Sequence, residues 1–249
     1  MIDPKKPGAA SGGRVNVKTL DFYLTPTHAC NYLPGREAAS LVADVGARIT
    51  TQTYGALIDY GFRRSGEYIY RPHCQGCTAC IPVRVPVAAF RPRRSQRRTW
   101  QRNQDLMVRR VPVVYQEEHF QLYQRYIADR HRGGGMDHTD SEHYLEFMHA
   151  AGIDTGLYEF RSAERLLAVA VVDHLAQGFS AVYTFFDPAE HARSLGVYAV
   201  LWQIEELKRR GLPWLYLGYW IKECRKMNYK GRYRPLEIYR DGQWIRNDE

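Results

Sequence analysis

The chain has 249 residues, 45% apolar, 25% charged and 13% aromatic, enough hydrophobic material to bury a core and to exclude a disordered or collagen-like polymer. Lys and Arg outnumber Asp and Glu by 35 to 27, and the net charge of +8 favours polyanionic partners such as RNA, DNA or acidic membrane surfaces. No apolar run reaches the ~18 residues of a membrane span, and Met1–Gly13 has no apolar core of a secretory signal, so the expectation is a cytoplasmic protein without a membrane partner.

In chain order, residues 1–14 read as a frayed tail. Val15–Leu24 predicts a strand, Gly35–Val45 a short helix after Pro34, and Gln52–Tyr60 a second helix. Glu67–Arg71 and Ile81–Val87 predict strands on either side of Pro72–Cys80, which would cap a hairpin-like connection. Arg93–Asp105 lacks Gly and Pro and predicts a helix, and Met107–Tyr115 is extended. Glu117–Arg132 carries Phe120, Leu122, Tyr123, Tyr126 and Ile127 at helical spacing, and Ser141–Ala151 predicts another helix. Gly133, Gly134 and Gly135 between the two are expected to act as a flexible joint. Thr155–Arg161, Leu166–Leu175 and Ser180–Phe186 read as an antiparallel meander, Ser194–Arg210 as a long helix with a basic last turn before Gly211, and Pro213–Leu217 as a strand. The class is α+β, divided into the tail (1–14), a Cys-containing basic module (15–110) and a transferase-like half (111–249) whose order of strands, helix N-terminus and further strand suits acyl transfer.

The charge is concentrated. Between Arg84 and Arg110 nine Arg stand against Asp105 alone, a net +8, which leaves the rest of the chain neutral. Lys222, Arg225, Lys226, Lys230, Arg232 and Arg234 against Glu223 make a second run, interleaved with Tyr229 and Tyr233. Basic residues mixed with aromatics suit phosphates and stacked bases. Arg97 and Arg98, with Lys222, Tyr229 and Lys230, are therefore candidate RNA contacts.

Cys74, Cys77 and Cys80 recur every third residue between Pro72 and Pro82. A soft metal ion needs about four ligands; Cys30, His73 or the remote Cys224 could complete the set, with Cys30 the expected fourth and zinc or an iron–sulfur cluster the expected occupant. Arg193, Ser194 and Gly196 open the long helix, where unpaired amide N–H groups favour a phosphate or ribose. Asp187 ends the preceding strand. Tyr219 lies just past the end of the last predicted strand, where the chain enters the second basic run. No Walker loop, dinucleotide fingerprint or nucleophile-elbow serine is present, and the nine His lack metal or triad spacing.

Four motifs in this order carry a resemblance: His28 to Pro34; Tyr70 to Cys74 with Cys80 to Arg84; Val182 to Pro188 with Arg193 to Gly196; and Tyr216 to Ile221 onward. Together, from about Asp21 to Trp244, the chain resembles the aminoacyl-tRNA–protein transferases, and its compact length is most like their bacterial leucyl-transferring branch. The resemblance implies an N-terminal Cys-bearing module and a mixed sheet with flanking helices like the GCN5-type acetyltransferases. It also implies transfer of leucine from leucyl-tRNA to proteins beginning with Asp or Glu, creating a degradation signal, with no cofactor required for the chemistry.

On that reading the activated ester needs mainly an aligned, neutral amine. Asp187 is expected to hold or deprotonate it, with Tyr219 beside it. Recognition of an acidic first residue calls for Arg, and Arg71 and Arg84, bracketing the cysteines, are the expected acceptor-binding pair. Three other readings compete: an arginyl-transferring relative, an acetyl-coenzyme A dependent N-acetyltransferase, and a zinc-containing RNA-binding protein without catalysis.

Overall fold

The computed structural model describes residues 20–130 and 140–247; the expected tail and the Gly133–Gly135 joint lie outside the described residues. Its elements are β1 (Phe22–Leu24), β2 (His28–Ala29), β3 (Glu37–Ala38), β4 (Ser40–Ala43), α1 (Thr51–Asp59), β5 (Arg63–Ser65), β6 (Tyr68–Pro72), β7 (Ile81–Pro86), α2 (Arg94–Arg102) and β8 (Met107–Val111). There follow α3 (Glu117–Arg130), α4 (Ser141–Met148), β9 (Thr155–Ser162), β10 (Arg165–Leu175), β11 (Gly178–Phe186), α5 (Leu195–Arg209), β12 (Trp214–Trp220), β13 (Leu236–Arg240) and β14 (Gln243–Asn247).

The fold is mixed α+β around an eight-stranded sheet in the order β14-β13-β7-β12-β11-β10-β9-β8. The meander expected over residues 155–186 is β9, β10 and β11, antiparallel throughout. Strand β10 is buried nearly end to end because both faces of the sheet are covered. On one face α5 packs Leu195, Tyr198, Leu201 and Ile204 against Phe160, Ala170, Val172 and Leu217. On the other, α3 and α4 bring Leu122, Tyr123, Tyr144 and Met148 onto Leu157, Val169, Val171 and Phe185. A four-stranded sheet, β1-β4-β6-β5, joins α1 in a third core around Tyr54, Leu57, Ile58 and Phe62.

Three expectations differ from this arrangement. Residues 35–45 are strands, not a helix: Leu41 and Val42 pair with Leu24 and Tyr23 on one side and with Arg71 and Tyr70 on the other, and that pairing outweighs the helix propensity of Glu-Ala-Ala. Strands β6 and β7 do not pair, so the Cys-bearing stretch bridges two sheets instead of closing a hairpin. A boundary at residue 110 cuts the large sheet, since β7 pairs with β12 and β13, and β8 pairs with β9.

Strands β11 and β12 are parallel neighbours, yet they pair only over Gly178–Ser180 against Trp214–Tyr216. Beyond Ser180 and Tyr216 they have no further register, and residues 181–184 of β11 are half-buried. The sheet is therefore split between these strands at their C-terminal ends.

Candidate functional site

Side chains from the small sheet and from the turn after β12 fill the split. Arg63 of β5 is 8% exposed and donates from Nη2 to the carbonyl of Ala181, one residue past the paired stretch, at 2.6 Å. Gly218 of β12 lies opposite, at φ +81°; an added Cβ there would stand 3.2 Å from Arg63 Nε, so the missing side chain makes room for the guanidinium. A bulge between Tyr216 and Gly218 in the β12–β7 pairing sets that position. Lys230 donates from Nζ to the Tyr219 carbonyl at 2.8 Å, and its Nζ lies 5.8 Å from the Tyr229 ring centre. Burial first, then the Arg63 charge, pull its ammonium down to about 7.

Tyrosines surround these cations. The Tyr219 hydroxyl donates to the carbonyls of Gly61 and Tyr70, at 3.0 and 3.1 Å, and so ties the β5–β6 hairpin to β12. Tyr54 meets Ser180 at the base of the split at 3.3 Å. Burial pushes the hydroxyls of Tyr54, Tyr70 and Tyr219 above the usual tyrosine value, keeping all three protonated at neutral pH.

The expected catalytic carboxylate has other partners. Asp187 accepts from the Ala189 amide at 3.0 Å and pairs with Arg165 at 2.7 Å. Burial would raise its proton affinity, but Arg165, the Ala189 N–H and Arg125 outweigh burial and hold it below the ordinary carboxylate range. This is the geometry of a cap on the turn that leads to α5, not of a base poised near neutrality. Arg193 is likewise engaged, clamping Asp105 with two nitrogens at 2.8 and 3.0 Å and linking α5 to the end of α2. Ser194 enters α5 at φ +54° with no side-chain capping bond, and a Cβ on Gly196 would stand 3.1 Å from the Phe186 ring.

Neither expected acceptor-binding arginine is left without contacts. Arg84 pairs with Glu237 at 2.8 Å and lies 3.6 Å above the Trp214 ring centre, with Asp59 and Trp244 beside it. Arg71 donates to the Tyr60 carbonyl at 2.9 Å and sits over Phe62. The buried arginine of the split is Arg63, which is not among the residues expected from the sequence. The Arg-Arg pair at 63–64 before the Gly66 turn is its one trace in sequence, and nothing there separates it from surface charge.

Arg97 and Arg98 are exposed on α2, as are Arg94 and Arg102. Lys222 and Tyr229 are exposed on the segment after β12, whereas Lys230 is buried. Gln96 of α2 donates to the Arg232 carbonyl at 3.4 Å, and the Arg91 amide to the Arg234 carbonyl at 3.1 Å. The two basic runs, more than a hundred residues apart in sequence, thus lie side by side.

The cysteines gather loosely. Burial, then the neighbouring Cys74, Cys30, Cys77 and Cys224, push the Cys80 thiol up to about 12. The Leu33 amide donates to Cys30 Sγ at 3.4 Å and Arg36 to Cys77 Sγ at 3.5 Å. Among the described residues no group of three or more His, Cys, Asp or Glu is arranged as a metal site. No helix among them is long and apolar enough to cross a membrane.

Two family models match the chain, described as the N terminus and the C terminus of arginine-tRNA-protein transferase, over residues 28–98 and 118–240. Proteins of Thiobacillus denitrificans and Nitrosococcus oceani named aspartate/glutamate leucyltransferase are 53% and 52% identical to it. The matches cover 90% of the chain in each case, and 94% and 95% of the respective relative. Among solved structures, that of L-PGS from Bacillus licheniformis aligns with a TM-score of 0.44 at 11% identity, over 67% of this chain and 49% of that one.

Proposed function

The chain belongs to the arginine-tRNA-protein transferase family, and from that premise we infer that it transfers leucine from leucyl-tRNA to the α-amino group of proteins beginning with Asp or Glu. The observation that carries this reading is the identity above one half, along nine-tenths of the chain, with leucyltransferases of that acceptor class. A charged-tRNA donor suits a cytoplasmic reaction. The split between parallel β11 and β12 supports a GCN5-acetyltransferase-like sheet, in which the acyl donor would lie against the diverging strands.

The α-amine attacks the ester carbonyl of leucyl-tRNA; an amide forms, the bond to the terminal ribose oxygen breaks, and that oxygen takes a proton. The ester is already activated, so the protein's task is alignment and removal of one proton from the ammonium. Lys230, held at about 7 beside the Tyr219 carbonyl, exchanges its proton in the range where an α-amino group does. Asp187 holds Arg165 and the turn before α5, and with Tyr219 it shapes the walls of the reaction site. Arg97, Arg98, Lys222 and Tyr229 face the tRNA, and Arg193, Ser194 and Gly196 set the start of α5 against its 3′ end. Cys30, Cys74, Cys77 and Cys80 are a soft set of a kind that binds zinc or an iron–sulfur cluster, but they are not arranged as a metal site here and would have to draw together to hold one, whose part would be to tie β2 to the β6–β7 connection. Elemental analysis of freshly purified protein is expected to find zinc or iron, and finding neither rejects the metal.

The test of the reaction is transfer of labelled leucine or arginine from charged tRNA to peptides beginning with Asp, Glu or Ala, with acetylated peptides as controls. Leucine is expected on free Asp and Glu peptides alone. Arginine in its place would change the donor, and tight tRNA binding without transfer of either would reject catalysis.

A further inference from the structure

Buried charges elsewhere in the fold are neutralised. Arg64, the neighbour of Arg63, makes a two-nitrogen contact with Asp173 at 2.7 and 2.9 Å and also reaches Met148, Gly66 and Thr155. Glu159 is enclosed by His119, Arg109 and Arg161. Successive residues of a strand point to opposite faces, so Arg64 reaches Asp173 on β10 while Arg63 turns into the split.

Arg63 has no such partner. Among the described residues no carboxylate lies within 4.0 Å of it, its one hydrogen bond goes to the Ala181 carbonyl, and its buried Nη1 has no partner. Its charge acts on Lys230, another buried cation, and on the protonated hydroxyls of Tyr54, Tyr70, Tyr219 and Tyr229, none of which supplies an anion. A guanidinium taken out of water without an anion is costly, and Gly218 gives up a side chain to accommodate this one.

Resting on the leucyl-transfer reading, we propose that Arg63 is the specificity-determining residue for the acceptor, its unpaired Nη1 edge receiving the side-chain carboxylate of the N-terminal Asp or Glu. A phosphodiester of the tRNA is the other anion in the reaction. It is the poorer match, because Arg63 is enclosed among tyrosines and β-strands while the exposed arginines of α2 offer an open surface for a backbone. A carboxylate at the end of a short side chain suits an enclosed fork, which rejects the isosteric amide by leaving the charge unpaired. The same placement leaves the acceptor's α-amine near Lys230, on the other arm of the split.

The experiment compares wild type, Arg63→Gln and Arg63→Lys on peptides differing only in a first residue of Asp, Glu or Asn. In wild type, Asp and Glu are expected to be used and Asn nearly refused. In Arg63→Gln, kcat/KM for Asp and Glu is expected to fall by at least about 100-fold, mostly through KM, with Asn unchanged, so that the preference collapses. Arg63→Lys, which keeps the charge and loses the fork, is expected to fall between, and affinity for leucyl-tRNA to hold in both. An equal loss on Asp and Asn, or loss of tRNA affinity with the Asp-over-Asn preference intact, would overturn the proposal.

A binding measurement separates this from the reaction itself. Without tRNA, an Asp-initiated peptide is expected to raise the wild-type melting temperature more than its Asn twin, and Arg63→Gln to lose that difference. If wild type transfers no leucine but keeps the difference, the leucyl-transfer reading fails and the Arg63 site stands. If wild type transfers leucine yet shows neither a binding difference nor a drop on substitution, the Arg63 site fails and the reading stands. Should Arg63→Gln not fold, Arg63→Lys decides by the same comparison.

Discussion

At the scale of single residues, the site differs from the surrounding protein by its unpaid charges. Lys230 titrates at about 7 in the fold against an ordinary value of 10.5, because burial and Arg63 disfavour the ammonium. Between those two values the unfolded chain binds a proton that the native chain has given up, so Lys230's contribution to stability rises with pH across that window. Below about 7 both states are protonated and the full cost of burying the charge is present. Replacing Lys230 by Met, of similar length and uncharged, is therefore expected to raise the melting temperature most at pH 6, with a gain of about 1–4 kcal/mol, and the gain should shrink towards pH 10. Thermal melts of wild type and Lys230→Met from pH 6 to 10 check this; a constant difference would mean that Lys230 keeps its proton. In activity the same variant is expected to lose the pH dependence of kcat near neutrality.

Among the elements, the legible ones are those whose sequence period agrees with their packing. Helix α5 carries Leu195, Tyr198, Leu201 and Ile204 on one buried stripe and ends where Gly211 turns to φ +68°, and the meander β9–β11 is continuous in apolar residues because both faces are covered. Residues 35–45 read as a helix because the sequence does not reveal that β1 and β6 will pair with them. The split between β11 and β12 is invisible in sequence for the same reason: Ser180–Phe186 and Pro213–Leu217 read as ordinary strands, and only their register shows that they part after three pairs. The site suffers most from this. Asp187 and Arg84 stand out in sequence as candidate catalytic and acceptor-binding residues, yet each is neutralised by a residue elsewhere in the chain, Arg165 and Glu237, whereas Arg63 lies in a short strand with no apolar alternation to mark it.

Taken as a whole, the molecule gathers its net charge onto neighbouring segments. The basic runs at 84–110 and 222–234 are joined where Gln96 meets Arg232 and Arg91 meets Arg234, so α2 and the turn leading to β13 present a common surface with Arg94, Arg97, Arg98 and Arg232 exposed. Electrostatic attraction to a polynucleotide releases counterions in proportion to the phosphates neutralised, and the affinity falls accordingly with salt. Replacing Arg94, Arg97 and Arg98 together by Gln is expected to weaken leucyl-tRNA binding and to flatten the plot of log affinity against log salt by about 2–3. Adding Arg232→Gln should flatten it by about one more, because the same nucleic acid crosses both segments. At saturating leucyl-tRNA the kcat of the triple variant is expected to match wild type, since these side chains stand outside the split. Filter binding across a salt series, with single-turnover transfer at saturation, separates the two effects. An unchanged salt slope would place the tRNA on another face, and a lost kcat with an unchanged slope would mean that α2 supports the reaction site itself.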